Sequence, residues 1–233
     1  MNFSPNDLRK VSVFAEATDD DLDFIAQNSF VRSIEEGEFF FFQGDPAEYL
    51  YVLTSGQVKL LQSNPSGKQV NIRTIRPWEM FAALGAVRKD ATYPLSAQAL
   101  QGSTALVLRS DFMNEMMQTR PYLAIALTRL ITTLMQEIQV RYRELATERV
   151  EQRIARTLLR LASQTGERIE DETSTVELSF TRQDLAEMTG TTVFTVSRTL
   201  SEWDQLGIIE AGRERIKIKH PGRLLKIAEG MEK

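Results

Sequence analysis

The fold of this chain is decided by residues 180–218, which read FTRQDLAEMTGTTVFTVSRTLSEWDQLGIIEAGRERIKI. Thr181 and Asp184 have the spacing of a capping box, in which a hydroxyl and an acidic side chain bind the free N–H groups at a helix start. Gly190 then favours a tight turn, because glycine reaches positive φ at little steric cost. Thr192 can cap a following helix. The segment therefore predicts two short helices joined at Gly190.

The second of these helices has one apolar face and one polar face. Helical spacing places three residues on the apolar, buried face: Val196, Leu200 and Trp203. The opposite face carries Val193, Phe194, Ser197, Arg198 and Ser201. In a helix-turn-helix protein the N-terminal residues of the second helix meet base edges in the major groove of DNA. This face is therefore the candidate base-reading surface.

A hairpin is predicted beyond the second helix, with strands at Ile208–Ala211 and Arg215–Ile218 on either side of Gly212. Such a hairpin is a wing, and cationic residues in and after it form a local basic surface: Arg213, Arg215, Lys217, Lys219, Arg223 and Lys226. The predicted DNA-contacting residues are Arg182, Thr192, Val193, Phe194, Ser197, Arg198, Arg213 and Lys217. An ordinary helical hairpin with a charged tail is the alternative interpretation.

Composition excludes several classes of function. The net charge of −4 means that no overall basic field attracts nucleic acid, so any DNA-binding surface must be local. The absence of cysteine excludes disulfides, thiol nucleophiles, zinc fingers and cysteine-ligated iron–sulfur clusters. His220 is the only histidine and no Gly-rich phosphate loop is present, so the sequence predicts neither an enzyme nor a metal or cofactor site.

Short apolar runs separated by turn residues dominate the first half of the chain. They are Glu38–Phe42, Leu50–Leu53, Gln57–Leu61, Val70–Ile75, Ser96–Leu100 and Ala105–Arg109. Strands that recur at this spacing indicate an antiparallel sandwich or barrel. No apolar run approaches the roughly 20 residues needed to cross a bilayer, and the N-terminus lacks the pattern of a signal peptide. No membrane association is expected.

A long helical stretch runs from Tyr122 to about Gln164, with a bend expected at Thr147-Glu148. Its apolar residues fall on the a and d positions of a heptad repeat: Ala124, Leu127, Ile131, Leu134, Ile138 and Leu145. A stripe this narrow is typical of a two-helix coiled coil. The sequence therefore predicts a dimer interface at Leu127, Ile131, Leu134 and Ile138, and a helix packed on its own domain is the alternative.

At several places, in the same order along the chain, the sequence resembles the CRP/FNR family of bacterial transcription regulators. Gly37-Glu38, Gln43–Pro46 and Leu50–Lys59 are similar to the family's cyclic-nucleotide-binding β-roll. Arg153–Ala162 is similar to the helix that begins the family's DNA-binding domain. Thr195–Arg198 is similar to its recognition helix.

The resemblance implies an α+β fold with three parts. These are an N-terminal antiparallel β-roll (jelly-roll-like) sensor domain at residues 1–118, a long dimerisation helix at 119–147 and a C-terminal winged helix-turn-helix domain at 148–233. It further implies a homodimer that binds a pseudo-palindromic operator in double-stranded DNA. RNA polymerase is the expected protein partner, and the cytoplasm is the expected location.

The resemblance breaks down at the residues that bind cyclic AMP in the family. Members that bind this nucleotide hold its ribose with a Glu that follows a Gly, and its phosphate with an Arg. Here Ala82 and Ala83 replace the Gly and the Glu, Tyr93 replaces the Arg, and Ile138 stands where a hydroxyl residue meets adenine. A buried phosphate without a charged partner is costly. The sequence therefore predicts that cyclic nucleotides do not bind.

A different small-molecule effector, or none, is then expected. The candidate effector pocket consists of Phe81, Ala83, Leu84, Tyr93, Leu95 and Ile138. A second departure concerns the predicted recognition helix, where the family commonly has Glu at the position of Phe194. The Phe194 ring either faces the DNA groove or packs inward on Trp203, and helical spacing favours the groove.

A regulator that works through protein contacts, without reading DNA, is the alternative function.

Overall fold

The computed structural model describes residues 4–64, 69–164, 175–212 and 215–231, and the chain divides into two compact units, Met1–Glu137 and Ile138–Lys233. The first unit contains the predicted strands, and the second contains the predicted helix pair and wing. Each unit has hydrophobic core residues of its own. Arg213, one of the predicted DNA-contacting residues, lies outside the described residues.

The first unit is built on a β-roll. Its strands are β1 Ser29–Ile34, β2 Phe39–Phe41, β3 Tyr49–Ser55, β4 Val58–Ser63, β5 Gln69–Ile75, β6 Met80–Phe81, β7 Ser96–Ala99 and β8 Ser103–Arg109. Within the described part of this unit they form two four-stranded antiparallel sheets, ordered β1-β8-β3-β6 and β2-β7-β4-β5. The predicted antiparallel fold is confirmed. The sequence did not predict β1, whose side chains are mostly exposed, or the two-residue β6.

Helices cover one side of this roll. They are α1 Pro5–Leu8, a 3-10 turn Ser12–Phe14, α2 Asp19–Gln27, α3 Leu84–Val87, α4 Ser110–Thr119 and the first part of α5 Pro121–Thr147. Alternate residues of β3 and β8 point to opposite faces. Leu50, Val52, Leu106 and Leu108 join the helices in one core, whereas Tyr51, Leu53, Ala105 and Val107 join residues of both sheets in another. The β3–β8 pair is therefore buried on both faces.

The second unit is a winged helix-turn-helix. Its elements are α6 Val150–Gln164, β9 Val176–Ser179, α7 Arg182–Thr189, α8 Val193–Gln205, β10 Ile209–Ala211, β11 Arg215–Ile218 and α9 Pro221–Ala228. The predicted helix pair and wing are confirmed, and α5 ends at Thr147, where the bend was expected. The strand β9 was not predicted; it pairs with β11, so that the described wing strands form a three-stranded sheet.

The residues of the predicted dimer interface on α5 differ in their burial. Leu127 is only 1% exposed, and it packs in the helix-side core of its own unit. Leu127 therefore has almost no surface to offer a second chain, and its place in the dimer interface stays a prediction. Leu134 is half-buried, whereas Ile131 and Ile138 are exposed.

A buried carboxylate joins the N-terminal helices to the start of α5. Asp21, on α2, is 8% exposed, and its carboxylate accepts a hydrogen bond from the Tyr122 hydroxyl at 2.6 Å and another from Nε of Arg120. Burial alone would raise the pKa of Asp21, but the hydrogen bonds from Tyr122, Arg120 and Thr18, together with the charge of Arg120, outweigh it and the pKa is lowered. Burial and the bond to Asp21 raise the pKa of Tyr122.

We expect Asp21→Asn to destabilise the full-length chain at neutral pH by about 1.5–3 kcal/mol, the range for hydrogen bonds to charged groups. Asp20→Asn is the matched control, because Asp20 is exposed on the same helix and should change the free energy of unfolding by less than about 0.5 kcal/mol. Urea unfolding of both variants measures this difference.

The same comparison should depend on pH. A carboxyl group whose pKa is lowered on folding contributes stability that is fully present above its unfolded pKa of about 3.9 and is lost as the pH falls through the folded pKa. The gap between wild type and Asp21→Asn should therefore shrink in acid. Equal effects of Asp21→Asn and Asp20→Asn at neutral pH would contradict this account.

Candidate nucleic-acid interface and effector pocket

The turn between α7 and α8 is set by local chemistry. The Thr181 hydroxyl accepts a hydrogen bond from the Asp184 backbone N–H at 3.1 Å, and the Asp184 carboxylate accepts one from the Thr181 N–H at 3.0 Å, which completes the predicted capping box. Gly190 has φ of 63°, a left-handed conformation that glycine adopts with little strain. A Cβ atom at this position would also lie 2.9 Å from Cδ2 of Leu145.

The helix α8 is fixed by its apolar face. Val196, Leu200 and Trp203 are buried in the core of the second unit, together with residues of α6, α7, α9 and the wing. At its start the Thr192 hydroxyl accepts a hydrogen bond from the Thr195 N–H at 3.2 Å, as the sequence predicts. The orientation of α8 within the unit is therefore determined by side chains on one face only.

The opposite face of α8 is open to solvent. Phe194 is 76% exposed, and Val193, Arg198 and Ser201 are exposed as well, while Ser197 is half-buried. The structure thus brings the base-reading candidates of the sequence onto one accessible surface. The inward-packed alternative for Phe194 does not fit this degree of exposure.

Arg182 lies at the first position of α7, next to the capping box. Its side chain is half-buried, and its Nε atom is buried with no hydrogen-bond partner among the described residues. An unpaired guanidinium N–H in such a position is costly unless a further acceptor binds it. A phosphate oxygen has the charge and geometry to do so.

The wing is less basic than its lysines and arginines suggest. Lys219 forms an ion pair with Glu210 at 3.0 Å, and this hydrogen bond lowers the pKa of Glu210. Arg215 lies 3.9 Å from Glu177, a residue of β9. Lys217, half-buried on β11, is directly opposite Glu177 in the strand register. The carboxylates of Glu177 and Glu210 therefore balance part of the cationic surface.

Sequence reasoning missed a group of arginines that connect the end of α5 to the helix-turn-helix. Arg153 donates from Nε to the Thr189 carbonyl at 3.0 Å and from Nη1 to the Glu148 carbonyl at 2.8 Å. Arg156 pairs with Glu148 at 3.0 Å and donates to the Ala228 carbonyl at 2.7 Å. No sequence signal identifies the contacts to Thr189 and Ala228, because these partners are backbone carbonyls 36 and 72 residues further along the chain.

Tyr93 and Phe81, two candidates for the effector pocket, are buried in the interior of the roll. The Tyr93 hydroxyl donates to the Tyr49 carbonyl at 2.7 Å and accepts from the Tyr49 N–H at 3.1 Å. The Tyr93 ring stacks on Phe41 with centroids 3.9 Å apart, and Phe81 stacks on Tyr51 at 5.2 Å. Burial raises the pKa of Tyr93, so its hydroxyl is neutral at physiological pH. We call Phe40, Phe41, Tyr51, Phe81 and Tyr93 the aromatic cluster of the roll.

The other candidates for the pocket are more accessible. Ala83 precedes α3 and is half-buried, Leu84 is exposed, and Leu95 is half-buried. Ile138 is an exposed residue of α5 and belongs to the second unit. Ala82 has φ of 63°, so the backbone keeps a left-handed conformation that favours glycine even though the residue is alanine.

Across the described ranges, no group of three or more acidic or histidine side chains is arranged to hold a metal ion. None of the helices in those ranges has the length and apolar character needed to cross a membrane.

Comparison with known protein families finds a match in each half of the chain. A cyclic nucleotide-binding domain matches residues 31–120, and a Crp-like helix-turn-helix domain matches residues 152–227. The first falls on the roll, and the second covers the elements from α6 to α9.

Curated relatives match along most of their length. The transcriptional activator protein Anr of Pseudomonas aeruginosa is 28% identical over 211 residues, which covers 91% of this chain and 84% of the relative. A global nitrogen regulator of Synechococcus elongatus is 28% identical, and the match covers 82% of this chain and 86% of the relative. The cyclic AMP receptor protein of Thermus thermophilus is 25% identical, with coverage of 86% and 88%.

Solved structures show the same fold. FixK2 from Bradyrhizobium japonicum superposes with a TM-score of 0.74 at 20% identity, covering 85% of this chain and 96% of its own. The global regulator CLP of Xanthomonas campestris gives 0.73 at 20% identity, covering 84% and 95%. Both domain matches, together with the regulators that share both domains, show that the chain belongs to the CRP/FNR family of transcription regulators. It carries that family's DNA-binding domain.

Proposed function

We propose that this regulator binds a specific, pseudo-palindromic DNA operator as a homodimer in the cytoplasm. The observation that carries the proposal is the division of α8 into a buried apolar face and an exposed face with Phe194 and Arg198. We divide the chain functionally into a sensor at 1–118, a dimerisation helix at 119–147 and a DNA-binding domain at 148–233. Contact with RNA polymerase at the promoter is the step by which such a complex would act on transcription.

Arg198 is the proposed main reader of bases. Its exposed guanidinium can donate two parallel hydrogen bonds to O6 and N7 of a guanine. Val193, Phe194 and Ser197 contact the neighbouring base pairs, while Arg182, Thr192, Lys217 and Arg213 bind the phosphate backbone. This division supports specificity through α8 and affinity through its surroundings.

Arg198→Ala should reduce discrimination between a selected operator and a scrambled sequence by about 5- to 150-fold, the value of a bidentate contact to guanine. Lys217→Ala should weaken binding to both sequences alike, and it should reduce the slope of log affinity against log salt by about one unit. Anisotropy titrations at several salt concentrations measure both effects.

Two results would count against this assignment. If both variants lose affinity without losing discrimination, α8 is not the recognition helix. If selection from random DNA enriches no sequence at all with the wild-type protein, the alternative of a regulator acting through protein contacts is favoured.

The proposed dimer interface is the exposed apolar face of α5. Five exposed residues follow one another at intervals of four and three residues, the spacing of a coiled-coil seam: Ile131, Met135, Ile138, Tyr142 and Leu145. Compared with the sequence prediction, the seam keeps Ile131 and Ile138 and exchanges Leu127 and Leu134 for Met135, Tyr142 and Leu145. Leu134 lies at its edge.

Ile131→Glu should convert the dimer to monomer and weaken operator binding in parallel. Each seam residue is buried twice across a two-fold axis, and a buried Ile contributes about 1.5–3 kcal/mol. Val140→Glu is the matched control, because Val140 is equally apolar and exposed on α5 but lies off the seam. Sedimentation velocity measures the oligomeric state of both variants. An Ile131→Glu variant that stays fully dimeric, or a Val140→Glu variant that dissociates equally, would contradict the seam.

The sensor is proposed to have lost cyclic-nucleotide binding. Tyr93 replaces the phosphate-binding arginine with a neutral hydroxyl that is already bonded to Tyr49, and Ala83 offers no carboxylate to a ribose. The candidate residues that the first unit leaves for an unidentified small-molecule effector are Ala83, Leu84 and Leu95, which are half-buried or exposed. A factor active without any effector is equally compatible with this filled interior.

Cyclic AMP and cyclic GMP at 1 mM should leave the unfolding transition of the protein unchanged. A ligand present at 100 times its Kd stabilises the folded state by about 2.7 kcal/mol, so micromolar binding would produce a clear shift. Thermal unfolding and titration calorimetry check the point together. Saturable heat with a micromolar Kd for either nucleotide would overturn the proposal.

A further inference from the structure

An exposed phenyl ring is an unusual feature for the water-facing side of a helix. Phe194 is 76% exposed at the second position of α8, and its neighbour Val193 is 38% exposed, so the two form a small apolar surface at the start of the helix. We propose that Phe194 is a specificity-determining residue that reads a thymine through the 5-methyl group of the base. This inference rests on the proposed function and deepens it.

The position of Phe194 follows from the packing of α8. Val196, Leu200 and Trp203 fix the helix to the core, which leaves Phe194 and Arg198 on the free face one turn apart. Residues i and i+4 of a helix lie about 6 Å apart along its axis. When Arg198 binds a guanine, the ring of Phe194 therefore lies over a base pair that flanks that guanine.

The chemistry of the ring limits what it can recognise there. A phenyl group neither accepts nor donates the conventional hydrogen bonds by which polar side chains read base edges. The thymine methyl is the one apolar group that the major groove presents among the four bases. Contact between the two removes apolar surface of both from water, so it favours T·A over the other base pairs at this position.

The phenyl ring can also weaken binding to competing sequences. At cytosine or adenine, the amino group on the major-groove edge would lose water to a ring that offers it no acceptor. Leaving a donor unpaired in this way is unfavourable. Attraction to thymine and rejection of the amino-bearing bases therefore act in the same direction.

A thymine-to-uracil exchange tests the inference, because it removes only the methyl group. Operators are first selected from random duplex DNA with the wild-type protein, and each thymine flanking the Arg198-dependent guanine is then replaced by deoxyuridine. Loss of one methyl contact should weaken wild-type binding about three- to fivefold, given about 0.8 kcal/mol per buried methylene-sized group. Replacing thymines elsewhere in the operator is the DNA control.

The Phe194→Ala protein completes the cycle. It should bind the thymine and uracil operators equally. Phe194→Glu should move the preference at the base pair beside the guanine to cytosine, because a carboxylate accepts a hydrogen bond from the N4 amino group of cytosine. Equal sensitivity of wild type and Phe194→Ala to uracil would overturn the inference, as would an operator without thymine beside the guanine. Unchanged DNA binding by all Phe194 variants would instead assign the ring to a protein partner. Failure to select any operator would contradict the proposed function itself.

Discussion

The burial of one face of α8 is the interaction on which the rest of the DNA-binding domain depends. Val196, Leu200 and Trp203 share a core with α6, α7, α9 and the wing, so the helix cannot rotate without losing most of its apolar contacts. Because these three residues are held inside, Phe194 and Arg198 are held outside. The capping box at Thr181 and the turn at Gly190 set where α7 begins and ends, and Thr192 sets where α8 begins, but the core decides which side chains stay accessible.

The roll combines two antiparallel sheets with an interior of aromatic side chains. The roll keeps its two antiparallel sheets, and Ala82 keeps a left-handed conformation without the glycine that would adopt it most easily. Its interior is filled by stacked aromatic rings, with the Tyr93 hydroxyl bonded to the backbone of Tyr49. If the sensor has lost cyclic-nucleotide binding as we propose, this packed interior would let the roll keep its stability without the polar groups that hold a nucleotide.

Local signals made much of this predictable from sequence. The capping box at Thr181, the turn at Gly190 and the alternating strands depend on neighbouring residues, and all were found where the sequence placed them. The seam of α5 was harder, because Leu127 and Ile131 look equivalent in a heptad pattern and only the tertiary core distinguishes them. The strand β9 and the bond from Arg153 to the Thr189 carbonyl depend on partners distant along the chain, and no pattern of spacing predicts those.

Site-specific cleavage of DNA tests the central claim, that the exposed face of α8 lies in the major groove, most directly. The chain has no cysteine, so Ser201→Cys on α8 gives a unique thiol to which an iron chelate that generates hydroxyl radicals can be attached. With a selected operator, we expect strand cleavage in two clusters about 10 base pairs apart, one for each half-site. The cysteine-free natural protein treated with the same reagent should leave these clusters uncut. Equal cleavage with the natural protein, or none from Ser201→Cys while the operator is bound, would contradict the account.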